Sequence, residues 1–195
     1  MDIYMEQMKA DYDQLVDGLD ASYKKLDLYV DLRKAKKNEI LKKTSSVESC
    51  SRYLCSGFVG LFQEGEERDI LTEIFMTSDV AFDSESYLNA SRTDFYLKCL
   101  SDIIFIELSK KAESQVIENH PKFVKLGLAI NHRMLSRQGE RSRIKNLGIS
   151  RGYPEFVNAL PGIEKLLTQS ELASYFNCTD RTVRSVLKEY KSKQK

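Results

Sequence analysis

The sequence predicts an all-α protein. Apolar residues recur at Met5, Met8, Tyr12, Leu15, Leu19, Tyr23, Leu26 and Val30, at intervals of three and four that share one helix face. The stretch Tyr87–Ala112 is long, strongly apolar and unbroken, with Ile103, Ile104, Phe105 and Ile106 near its centre. A capped helical pair closes the chain between Leu167 and Leu187. These observations predict an N-terminal helical bundle over 1–138, a basic connector over 139–152 and a small three-helix unit over 153–195.

The first stripe predicts one long helix or two consecutive ones, ending near Lys43, with Gly18 as its weakest point. Ser45 followed by Glu48 matches a capping box. It predicts a helix with Cys50, Tyr53, Leu54, Phe58, Leu61 and Phe62 inward, ended by Gly65. A short helix is expected from Glu66 to Met76, then a polar loop from Thr77 to Ser86. Tyr87–Ala112 follows as the central helix, too long and uninterrupted for a strand. Pro121 marks another start, and that helix carries Phe123, Val124, Leu126, Leu128, Ile130 and Leu135 before fading at Gly139. Gly139, Gly148 and Gly152 then punctuate a less hydrophobic boundary.

Composition narrows the function classes. Hydrophobic residues are 42% and Gly plus Pro only 12 of 195, so the chain is neither collagen-like nor disordered. No apolar run reaches the roughly 18 residues of a membrane span. The N-terminus has no signal-peptide pattern, and Cys50, Cys55, Cys99 and Cys178 are too few for a disulfide scaffold. A cytoplasmic location is expected. The net charge of +1 conceals an asymmetry. Met1–His120 holds 15 basic and 23 acidic side chains, a balance of −8, whereas Pro121–Lys195 holds 15 and 6, a balance of +9. A basic tail on an acidic body raises the expectation of a polyanion partner.

The motif lies in that tail. Thr168 with Glu171 forms a capping box opening a first helix, whose Leu172, Ala173 and Phe176 face inward. Asn177 sits where a tight turn needs positive φ, Cys178 is a small apolar turn residue, and Thr179 caps a second helix packed back through Val183 and Val186. The segment resembles a helix-turn-helix DNA-binding unit. Glu171-Leu172-Ala173 and Arg181-Thr182-Val183 look like the motif of catabolite-activator-type regulators. The resemblance covers about 20 residues. No wing is expected after it, and no cyclic-nucleotide-binding β-roll before it. It implies that Thr179, Asp180, Arg181, Arg184, Ser185, Lys188 and Lys191 face a major groove, with Thr168 and Gln169 on phosphates. Arg141, Arg143 and Lys145 are candidates for a phosphate-contacting arm, weighed against a solvated linker that offsets the acidic body. Arg133, Arg137 and Arg141, spaced by four, would share one helix face.

No enzyme is expected. His120 and His132 have no arginine at the spacing of helical ribonucleases, and neither a phosphate loop nor a GxSxG elbow occurs. The cysteines lack metal-ligand spacing, so no metal and no cofactor are expected. The reading is a sequence-specific double-stranded DNA-binding protein, a transcriptional regulator of a prokaryote, phage or mobile element. It is expected to be a homodimer and to have no membrane partner; the Met5–Val30 stripe is the candidate interface, weighed against packing only within its own bundle. The alternative is a non-enzymatic adaptor or structural protein of DNA mobilisation, replication or phage assembly, with the N-terminal helices holding a protein partner.

Overall fold

The structure, a computed structural model, describes residues 3–17, 23 and 25–193. It overturns the all-α expectation. After α1 (Ile3–Asp13) come β1 (Val30–Ala35), β2 (Ile40–Lys42), β3 (Cys50–Ser56), β4 (Val59–Gln63), β5 (Ile70–Phe75) and β6 (Val80–Ala81). The short α2 (Ser84–Asn89) leads to β7 (Phe95–Cys99) and β8 (Ile103–Ser109). Helices α3 (Lys110–Asn119), α4 (Phe123–Asn146), α5 (Gly148–Ala159), α6 (Gln169–Tyr175) and α7 (Asp180–Lys193) follow. The strands form two antiparallel sheets, β1-β8-β3-β6 and β2-β7-β4-β5.

The central helix expected over Tyr87–Ala112 is α2 followed by two strands. In β8, Ile103 and Phe105 face the second sheet, and Ile106 faces the helices on the other side. Both faces of the strand are covered, so it reads as a continuous apolar run instead of an alternation. Its β-branched and aromatic residues favour the pleated strand. The helix expected from Ser45 is likewise β3 and β4, joined at Gly57. That glycine has φ +87°, and a Cβ there would lie 2.4 Å from the Asp102 carbonyl oxygen. Ser45 and Glu48 form no capping box. Glu48 is buried, accepts from the Ser49 and Cys50 N–H groups, and pairs with Arg52 at 3.0 Å. The expected Glu66–Met76 helix is β5, and the expected Thr77–Ser86 loop contains β6.

The N-terminal stripe is helical where it is described up to Leu26 apart from a turn at residues 14–17. Met5, Met8 and Tyr12 of α1 are buried in one cluster with Tyr53, Ile106, Phe123 and Leu126. Residues 18–22 and 24 of the expected helix, including Gly18 and Leu19, lie outside the described residues. Val30 belongs to β1.

Three apolar layers result. The first lies between α1, α3, α4 and the sheet containing β8. The second fills the space between the sheets, with Leu54, Val59, Phe75, Leu97 and Phe105. The third joins the outer face of the other sheet, through Phe62, Leu71 and Ile74, to Phe156, Leu172, Tyr175, Phe176 and Val183 of the C-terminal helices. The helix expected to fade at Gly139 continues to Asn146. The expected connector 139–152 is its last two turns, a break at Gly148 (φ +69°) and the start of α5. Polar burial inside the sandwich is paired. The Lys42 ammonium donates to Asp83 at 2.8 Å, to Thr93 Oγ1 at 2.7 Å and to the Phe95 carbonyl at 2.8 Å, using all three of its donors.

Candidate nucleic-acid interface

The C-terminal unit is built as its residues require. Thr168 Oγ1 accepts the Glu171 N–H at 3.1 Å and Glu171 Oε2 accepts the Thr168 N–H at 2.9 Å, a complete capping box. Leu172, Ala173 and Phe176 are buried, and Ala173 has no exposed surface, so the two helices cross closely. Asn177 takes φ +49° at the turn, a conformation Asn tolerates better than most residues. Thr179 Oγ1 accepts the Thr182 N–H at 3.2 Å and caps α7, and buried Val183 anchors that helix. α5 completes the three-helix unit with Tyr153, Phe156 and Leu160, followed by a 3₁₀ turn at Ile163–Lys165.

On the outside, Thr179, Arg181, Arg184, Ser185, Lys188 and Lys191 are exposed along α7, and Thr168 and Gln169 are exposed at the start of α6. Asp180 is half-buried and pairs with Arg68 at 3.5 Å. Arg68 also donates to the Cys178 carbonyl. Arg68 lies in the β4–β5 turn, where the sequence shows only an acidic cluster, and nothing local signals its position beside α7. A second tie escapes the sequence in the same way. Lys98 of β7 pairs with Glu171 at 2.8 Å, and the Leu71 N–H donates to buried Ser174 Oγ at 3.1 Å. Burial alone would raise the Glu171 carboxyl. Hydrogen bonds from Lys98 and from the Thr168 backbone outweigh it and hold the group below the ordinary carboxylate range.

The three connector candidates do not join this surface. Arg141 is mostly buried, with Asp79 and Glu73 as partners across the α4–sandwich seam. Asp79 is the nearer partner, at 2.5 Å against 3.6 Å for Glu73, and burial, ahead of the opposing bonds from Gln138 and Arg141, pushes the Glu73 carboxyl up. Arg137 pairs with Asp79 from the same side, and Arg133 pairs with Asp11 at 2.9 Å. The shared face inferred from the spacing of four exists, and it points into the body. Arg143 is exposed and pairs with Glu155 at 2.6 Å. Lys145 is half-buried with its ammonium 5.2 Å from the Tyr175 ring centre, and burial lowers its pKa.

A two-sheet sandwich followed by a long helix and a C-terminal helix pair is an arrangement shared with several solved structures. The expectation that no β-roll precedes the motif is therefore overturned. The chain is similar to CLP of Xanthomonas campestris, a c-di-GMP-responsive global regulator, at 14% identity and a TM-score of 0.64, covering 90% of this chain and 93% of that one. It is similar to a cyclic nucleotide-binding domain containing protein of Listeria monocytogenes, at 13% identity and a TM-score of 0.63, covering 95% and 89%. FixK2 of Bradyrhizobium japonicum matches at 11% identity and a TM-score of 0.58, covering 85% and 86%. At these identities the likeness is one of fold. Neither a protein-family model nor a curated protein sequence matches the chain. No described helix is long and apolar enough to cross a membrane.

Proposed function

We propose that the protein is a dimeric, sequence-specific double-stranded DNA-binding transcriptional regulator that reads a major groove with α7. One observation carries this reading. A closely crossed helix pair, N-capped by Thr168 and Thr179, presents Arg181, Arg184, Ser185 and Lys188 outward, with no carboxylate partner for either arginine among the described residues. An arginine so placed matches the O6 and N7 acceptors of guanine, and the lysines supply phosphate contacts. Thr168 and Gln169 would touch the flanking backbone, and Arg68 would add a cation beside the start of α7.

The dimer seam we assign to α4, because the N-terminal stripe is spent inside its own chain. Val124, Leu128 and Leu135 are 42%, 57% and 66% exposed on α4. Exposed Asn131 completes their spacing of four, three and four. That is a two-heptad seam, and a single Asn within such a seam fixes register and strand number. Two copies joined there would present two α7 helices to successive major grooves.

The fold class implies a cyclic-nucleotide effector, and the residues of this chain do not fit one. A cavity of about 170 Å³ lies between α4, α1, α3 and the β1-β8-β3-β6 sheet. Among the described residues no Lys, Arg or His lines it, and its one carboxylate is Glu113. The α4 cations nearest that seam, Arg133, Arg137 and Arg141, are already paired with carboxylates. Among the described residues that line it, a buried phosphate would meet no cation, which is costly.

Selection of bound duplexes from a random pool by the full chain tests the DNA reading. The expected product is an inverted repeat with half-sites roughly 10 bp apart, or a multiple of that. Recovery of unrelated sequences with equal affinity would contradict it.

A further inference from the structure

The same cavity has a positive chemistry of its own. Tyr12, Tyr53, Ile106, Val116, Leu126 and Ile130 give it walls of rings and aliphatic groups. Burial pushes the Tyr12 phenol far up and raises the Tyr53 phenol to about 12, so both line the space as neutral groups. Ser51 and Asn131 also line it, and its one carboxylate is tied by Tyr87 Oη, which donates to Glu113 Oε2 at 2.6 Å. A carboxylate has lone pairs beyond the one Tyr87 uses. The volume is close to the ~150 Å³ of an engineered apolar cavity that stays dry and takes up benzene. It is far below the roughly 300–1,000 Å³ of pockets for drug-sized ligands.

We infer that this cavity is a binding site for a small, uncharged, ring-containing molecule of roughly ten non-hydrogen atoms, with at most one N–H or O–H donor directed at Glu113. Size and charge agree on this class. A nucleotide is too large and brings an anion into a space whose described lining holds a carboxylate and no cation, whereas a neutral ring replaces empty volume with contacts to walls already in place. The site also has a mechanical position. Leu126 and Ile130 face the cavity from α4, while Val124, Leu128 and Leu135 are exposed on the same turns of that helix. An occupant therefore braces the back of the proposed dimer seam. The inference stands without the DNA reading, since the cavity is the same whether or not α7 binds a duplex.

Titration calorimetry and thermal unfolding of the full chain with indole, a neutral ring with one N–H, test it. Saturable indole binding with a rise in Tm is expected. Leu126→Trp, which fills the cavity, is expected to weaken that binding at least tenfold, and 3′,5′-cyclic AMP is expected to give no saturable heat. Val116→Phe fills the same space from α3 and serves if Leu126→Trp does not fold, as judged by circular dichroism. Absence of indole binding to the unmodified chain, equal binding by a folded cavity-filled variant, or saturable binding of cyclic AMP that such a variant abolishes would each overturn the inference.

Discussion

Helices α4 and α7 draw on the same basic C-terminal half and space their cations by three or four residues, yet they use them in opposite directions. On α4, Arg133, Arg137 and Arg141 turn inward and meet Asp11 and Asp79. On α7, Arg181, Arg184 and Lys188 face solvent, and within the described residues none of the three has a carboxylate partner. Helical spacing establishes that cations share a face. What the face meets is decided by the rest of the fold: α4 lies along the sandwich and its carboxylates, whereas α7 packs its inner face on α6 and leaves the outer one to solvent. The −8 and +9 halves of the sequence are thus partly one electrostatic closure inside the molecule and partly a surface left for a polyanion.

That contrast can be broken at several points, taken from the largest expected effect. Replacing both Arg137 and Arg141 with Ala strands buried Asp79 without a cation. A loss of about 3–5 kcal/mol in folding stability is expected from chemical denaturation, because an unpaired buried charge is costly. If stability stays within about 0.5 kcal/mol, these arginines are surface groups and the inward half of the comparison fails.

The seam on α4 comes next. Leu128→Asp together with Leu135→Asp places like charges across the proposed interface. Sedimentation is expected to show a monomer with unchanged circular dichroism. The double variant remaining dimeric would move the interface elsewhere.

A smaller effect tests how the C-terminal unit is seated. Glu171 is held below the ordinary carboxylate range, so its contribution is present above its unfolded value and is lost as pH falls through its folded value. The unmodified chain is therefore expected to lose more stability than Glu171→Gln as pH drops from neutral through the carboxylate range. Parallel pH profiles of Tm for the two proteins would show that the Lys98 tie contributes nothing.

The C-terminal unit was legible because its constraints are local. A capping box, a turn that needs positive φ, one small crossing residue and two valines all fall within about 20 residues, and each is tied to a named physical requirement. The sandwich was hidden for an equally definite reason. Its strands are covered on both faces, so β8 and β3 show runs of Ile, Phe, Tyr, Leu and Cys without the alternation of a half-buried strand. Its pairings join residues as distant as Val30 and Leu108. Gly57 reads as a helix interior glycine until Asp102 is found against it. The stripe's spacing marks the buried face at Met5, Met8 and Tyr12 but leaves open whether a second copy or the chain itself covers it; β3 and α4 do so within the chain. Arg68 and Lys98 could not be anticipated at all, because their pairings with Asp180 and Glu171 join residues more than 70 apart in the chain and exist only once the sheet and the C-terminal helices are packed together.

The central claim is that the outward cations of α7, unlike the inward ones of α4, read base pairs. Equilibrium binding of Arg184→Ala to the selected duplex, and to duplexes altered at single positions, tests it most directly. The account predicts a loss of about 1–3 kcal/mol in binding, relaxed discrimination at one base-pair position and a thermal unfolding curve like that of the unmodified chain. An Arg184→Ala protein that binds every duplex with undiminished affinity and discrimination would contradict it.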